Sequence, residues 1–238
     1  MAAARARLSA ASSGQAAGDP ATAASLSTGD AATIDGAYAK RLAHQISAGD
    51  TTDYAFDTLS VTAYPLDGSG RGRLVSETEA KSLNARPSDL ASRYAAAMND
   101  GATSGRLPAG SFAPSQSTTG EARSAAVSLV EASQHGTGSQ HWDPRPGGQA
   151  VALTNGVLVF ASARETRQIH KNVEGTARYF VIQDAQRLAF GGFLPPGNYS
   201  DVNQTLLVSL AVVVAPPSQP DVVALNTTIE TATGVLVR

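Results

Sequence analysis

Ala150-Val151-Ala152-Leu153-Thr154-Asn155-Gly156-Val157-Leu158-Val159-Phe160-Ala161-Ser162-Ala163 decides the fold. Two apolar runs, Ala150 to Thr154 and Val157 to Ala163, flank Asn155-Gly156. Asn and Gly tolerate the positive φ of a type I′ turn, so the pattern predicts a β-hairpin. Period-two runs follow it. They predict strands over 177–182, 205–215 and 221–237, the last with a bulge near 226–228. Pro195-Pro196-Gly197 and Pro216-Pro217 punctuate this meander. Upstream, Thr118 and Glu121 stand at capping-box spacing, and Ala122, Ala125, Ala126, Leu129 and Val130 form one apolar helical face. Residues 134–148 read as a loop.

The first half carries helical signals. Residues 2–47 read as helical in pieces. Asp19-Pro20 and Asp30 start new pieces, and Ile34, Tyr38, Leu42 and Ile46 fall on one stripe. Alternation over 56–63 predicts a short strand. A Gly-rich turn follows, and 74–78 read as a returning strand. Pro87-Ser88-Asp89 opens a helix over 87–100, with Leu90, Tyr94 and Met98 on one face and Gly101 at its end. The Gly-, Ser- and Pro-rich residues 101–118 read as a linker. The expected organisation is therefore an N-terminal helical half with a small sheet over 1–100, the linker, and a helix plus antiparallel meander over 119–238.

The class is α+β, with helices packed on antiparallel sheet. Such halves resemble the cystatin-like or nuclear-transport-factor-2-like architecture, in which a helix and a sheet enclose a cone-shaped pocket.

Composition excludes several activities. The chain has 238 residues, a net charge of −2 and no cysteine. A basic nucleic-acid footprint and a polybasic membrane patch are absent, as is any disulfide or thiolate chemistry. The longest apolar stretch, Leu206 to Ala215, is well short of the ~20 residues that span a bilayer. Arg5 and Arg7 are followed by no apolar signal region. This leaves two settings, a cytoplasmic protein or an exported domain trimmed of its leader. The second is the leading expectation, an extracytoplasmic protein of the cell envelope. Arginine outnumbers lysine 15 to 3, a bias of GC-rich genomes such as those of actinobacteria.

Ser13-Gly14-Gln15-Ala16-Ala17-Gly18-Asp19-Pro20, then Leu26-Ser27-Thr28-Gly29-Asp30-Ala31 and Tyr38, resemble the opening of uncharacterised actinobacterial exported lipoproteins. The hairpin at Val151 to Phe160 is similar to the one in their second half. The resemblance covers about a third of the chain and implies an exported, tethered setting. It implies no activity and no catalytic residues, and the tethering cysteine is missing here.

Candidate chemistry is sparse. Asp35 and Tyr38 are the ligand-pocket candidates, because their helix would form one wall of the cone. Asp35 would need apolar burial to act as a base. His135, His141 and Asp143 offer zinc-ligating groups within one Gly-rich segment, against a plainer reading as a surface loop pinned by Trp142. His44 reads as a rim histidine. Gly68, Gly70 and Gly72 form a Gly-x-Gly-x-Gly run with Arg71 and Arg73 beside it. A strand after the run, rather than a helix, argues for a turn and against a dinucleotide site. Arg164, Glu165, Arg167, His170 and Lys171 form the densest charge run, read as a solvated loop or a guarded edge strand.

No nucleophile elbow, P-loop or zincin motif occurs, and no cofactor or catalytic set is expected. The leading expectation is a non-catalytic binding or interaction domain. Its partner would be another protein or a second copy, not nucleic acid. A small pocket enzyme or apolar-ligand carrier, and a phage or particle structural subunit, are the alternatives.

Overall fold

A computed structural model describes residues 72–101, 104–113, 122, 125, 136–171, 180–182 and 193–237. The elements delimited among the described residues are α1 (Glu77–Ser82), α2 (Pro87–Gly101), β1 (Gly136–Pro144), β2 (Gln149–Leu153), β3 (Gly156–Lys171), β4 (Phe180–Ile182), β5 (Gly197–Val214) and β6 (Asp221–Leu236). The strands form one sheet in the order β1-β3-β5-β4, with β2 also on β3 and β6 also on β5. Helices with an antiparallel sheet place the protein in the α+β class.

The hairpin forms one residue earlier than expected. Leu153 pairs with Gly156, and the register runs antiparallel to Gln149 opposite Phe160. Thr154 and Asn155 are thus the central turn residues, and neither has positive φ. A type I′ turn at Asn155-Gly156 is therefore corrected. Gly156 is required for a different reason: a Cβ there would lie 2.4 Å from the Val214 carbonyl oxygen.

Two further expectations change. Residues 136–144 are a strand, not a loop, because β3 continues well past its pairing with β2 and offers β1 a partner. Cross-strand pairing outweighs the poor strand propensity of Gly136, Gly138 and Ser139. Residues 74–78 do not continue as a strand. Leu74 makes a single bridge to Val151, and Ser76 then caps α1 by accepting the Glu79 amide at 3.2 Å. Asn84, at φ 53°, ends α1: the Asn84 amide donates to Lys81 and the Ala85 amide to Ala80. That is a Schellman stop, with Asn in the left-handed position.

The described chain falls into two contact units. One comprises Val61–Ile169 and Val208–Thr227. Its core contains Leu90, Tyr94 and Met98 of α2, as their spacing predicts, together with Trp142, Val157, Val159, Val208, Leu210 and Val212. Alternate residues of β5 from Val208 to Val214 are buried, the period-two signature of a strand with one covered face. Ala122 and Ala125 are helical and buried in the same core; Ala126, Leu129 and Val130 lie outside the described residues. α2 lies against β1, and the Asn99 side chain fixes the contact. It donates to the Trp142 carbonyl at 2.8 Å and accepts the Trp142 amide at 2.9 Å, pairing with strand backbone as a neighbouring strand would. Phe112, from the span expected as a linker, is buried in this core and meets Tyr94 edge-on at 6.3 Å.

The other unit holds the described residues of His170–Leu207 and Thr228–Arg238. Leu194, Tyr199, Val202 and Ala232 form its core among the described residues. The Tyr199 hydroxyl donates to the Pro195 carbonyl at 2.7 Å, and burial pushes the phenol up. β4 pairs antiparallel with the start of β5. β4 lies within the span 177–182 predicted as a strand. β6 matches its predicted span within a residue at its end, whereas β5 starts earlier than predicted.

Candidate functional site

A concavity lies in the first of these units, where α1, the start of α2 and the turn before β2 meet. The cleft has a volume of about 380 Å³, towards the lower end of the range for small-molecule sites. Val75, Ala80, Pro87 and Ala150 give it apolar walls, and Leu74 stands exposed at its edge. Glu77, Arg86, Ser88 and Gln149 supply polar side chains, and Gly147 and Gly148 supply backbone.

The sequence dictates this frame locally. The Schellman stop at Asn84 turns the chain, and Pro87, the first residue of α2, restarts it after one turn. Arg86 is thereby held between the helices. Its Nη2 donates to Glu77 at 3.2 Å, and its Nε lies 3.7 Å from Asp89, an ion-pair distance but too long for a hydrogen bond. The Nε is buried without an acceptor. On the opposite wall Gly148, at φ +112°, passes so close to Phe160 and Pro87 that only glycine fits. Arg73 braces the 73–75 segment against α1 through two 2.9 Å hydrogen bonds to Glu79. The hydrogen bond from Arg73 holds the Glu79 carboxyl below the usual carboxylate range. Arg73 is thus engaged within the chain.

In the other unit, His170 Nδ1 lies 2.6 Å from Asp201 Oδ1, and the Ser200 hydroxyl donates to Asp201 Oδ2 at 2.6 Å. The carboxylate sits between hydroxyl and imidazole. A nucleophilic triad needs the imidazole in the middle, to take the hydroxyl proton. Here the Ser200 proton points to Asp201, so this wiring does not activate the hydroxyl. The hydrogen bond from Ser200, then that from His170, holds the Asp201 carboxyl below its ordinary value against an opposing effect of burial. A group depressed in this way stabilises the fold above the unfolded-state value, and the contribution fades as pH falls through the folded value. Asp201→Asn is therefore expected to lower the urea midpoint at pH 7. The gap to wild type should close as pH drops below about 4, which urea titrations between pH 2 and 7 would measure.

The other sequence candidates divide. Asp35, Tyr38, His44, Gly68, Gly70, Arg71 and His135 lie outside the described residues. His141 and Asp143 project from the same face of β1, with Nε2 3.2 Å from Oδ1 and both side chains exposed. No group of three or more metal-ligating side chains occurs among the described residues. The charge run is corrected in part: it is neither a loop nor an edge strand, although Arg164 and His170 are exposed. Arg164 to Lys171 belong to β3, which lies between β1 and β5, and Glu165 is wholly buried with the Arg167 guanidinium on its carboxylate. An i, i+2 pair on one strand face shares its surroundings, which is how this buried charge meets its partner.

Sequence reasoning overlooked Arg86, Ser88 and Gly148. A signal was present: Ser76-Glu77-Thr78-Glu79 has capping-box spacing, and Asn84 stands where a left-handed stop would follow. Together they announce a short helix directly before Arg86-Pro87.

No family model matches this chain, and no curated protein and no solved structure matches it either. Among the described residues no helix is long and apolar enough to cross a membrane.

Proposed function

We propose that this protein is a non-catalytic binding domain whose ligand site is the cleft between α1, the start of α2 and the Gly147-Gly148 turn. The observation that carries this reading is the cleft itself: apolar walls on a braced frame, lined also by the Arg86, Ser88 and Gln149 side chains. Small-molecule sites combine apolar lining with a few convergent polar groups in this way. α2 against β1 supports the cystatin-like or nuclear-transport-factor-2-like arrangement for the helix-bearing unit, a frame that commonly leaves room between helix and sheet.

The test is amide NMR of the full chain against a library of small neutral, acidic and basic fragments. Binders are expected to shift the amides of Val75, Ser88, Gly148 and Ala150 together. Binders that shift the residues around His170 and Asp201 instead, or a library that leaves the cleft amides unmoved, would sink the reading.

A further inference from the structure

We propose that Asn155-Gly156 is a site of covalent self-modification: the Gly156 backbone nitrogen closes on the Asn155 carboxamide, and water opens the ring to aspartate or isoaspartate. This is the only Asn-Gly pair in the chain. The structure places it at the tip of the β2–β3 hairpin, with Asn155 exposed in the turn. Among the described residues no hydrogen bond holds its carboxamide. Ring closure needs a following residue whose side chain does not cover the backbone nitrogen. Gly156 has no side chain, and packing keeps it a glycine: a Cβ there would lie 2.4 Å from the Val214 carbonyl oxygen and 3.1 Å from Ala215 Cα. Gly156 also closes the β2–β3 ladder, opposite Leu153. Freeing its nitrogen therefore opens only the last pair at the tip, a local event far cheaper than unfolding.

The atoms balance with water as the sole co-reactant. The Gly156 nitrogen gives up its proton and attacks Asn155 Cγ. The new N–Cγ bond forms as the Cγ–Nδ2 bond breaks, and the amide leaves as ammonia. Water then adds to the cyclic imide, its hydroxyl to a carbonyl carbon and its proton to the nitrogen. Opening at Cγ yields aspartate; opening at the main-chain carbonyl yields isoaspartate. Either product adds a negative charge to a chain whose net charge is −2. Isoaspartate also lengthens by a methylene the main chain of the turn that joins β3 to β2, the strand carrying Gln149 and Ala150 of the cleft.

Ageing of the full chain in warm, mildly alkaline buffer, followed by peptide mass spectrometry, tests this. The peptide with Asn155 is expected to gain the mass difference between OH and NH2. It should resolve into aspartyl and isoaspartyl forms, the second accepting a methyl group from an isoaspartyl methyltransferase. Asn203 and Asn226 are also exposed but precede Gln204 and Thr227, and they should stay unchanged over the same period. So should Asn99, whose carboxamide is held at both ends by the Trp142 backbone. Asn155→Gln keeps an exposed amide, and the φ at this position is not positive, so Gln fits the backbone. Its longer side chain closes a less favourable ring, and the mass gain should vanish. No conversion of Asn155 in the folded protein overturns the proposal, whether or not unfolding in urea restores it. So does conversion of Asn203 or Asn226 as fast as that of Asn155, aspartate formed without isoaspartate, or a mass gain that survives Asn155→Gln.

Discussion

Trp142→Ala is expected to remove about 3–5 kcal/mol of folding stability. Trp142 is the single tryptophan of the chain and is 1% exposed, the largest of the fully buried side chains. Truncation removes its transfer free energy and leaves a cavity beneath α2, where Leu90, Tyr94 and Met98 share the same core. Trp142→Phe should cost less than half as much. Phe keeps most of the apolar area, and it deletes the indole Nε1–H, which is buried without an acceptor. Urea unfolding followed by far-ultraviolet circular dichroism compares the three proteins without relying on the indole. In wild type, the indole emission should be blue-shifted and move red through the same transition. An Ala variant as stable as wild type would mean that β1 and α2 do not enclose this residue.

The second large effect is a contrast between adjacent glycines. Gly148→Ala places a Cβ 2.3 Å from the Phe160 carbonyl oxygen and 2.6 Å from Pro87 Cβ, at φ +112°. Backbone cannot yield as a flexible side-chain end does, so a cost of about 3 kcal/mol or more is expected. Gly147→Ala, at φ +95°, meets nothing within 4 Å. It carries only the conformational penalty of about 1–2 kcal/mol. The two urea midpoints measure the difference. Equal loss from both would show that the turn relaxes freely and that the wall of the cleft at Gly148 is not held by Phe160 and Pro87.

Much of the fold was legible because it is local. The α2 stripe of Leu90, Tyr94 and Met98 and the alternation along β2 repeat at the period of their own element, and the strand at 221–236 lies where its apolar and Thr-rich run predicts it. A stretch with one buried face must show that period, whatever covers it. The hairpin also shows where local reasoning slips. Asn155-Gly156 is the strongest turn signal in the chain, yet the turn sits at Thr154-Asn155 because Gly156 must pass against the Val214 carbonyl. That contact lies nearly sixty residues away and leaves no local trace.

The site was less legible. The polar groups of the cleft come from Glu77, Arg86 and Ser88 at one point in the sequence and from Gln149 at another. Each looks like an ordinary helix-start or loop residue in isolation. Glu165 read as solvated because its neighbours are charged; its burial depends on β3 lying between β1 and β5.

By itself, the sequence determined the α+β class, the antiparallel hairpin, the α2 face, and the exclusion of thiol and disulfide chemistry, because these depend on composition and on short-range periodicity. Only the tertiary structure decided that 136–144 pair as a strand, that Ser200 and His170 meet on opposite sides of Asp201, and that Arg86 comes to line a cleft with Gly147 and Gly148. Those facts depend on which distant segments lie side by side, and a hydrogen bond needs its partner in place before it can be read.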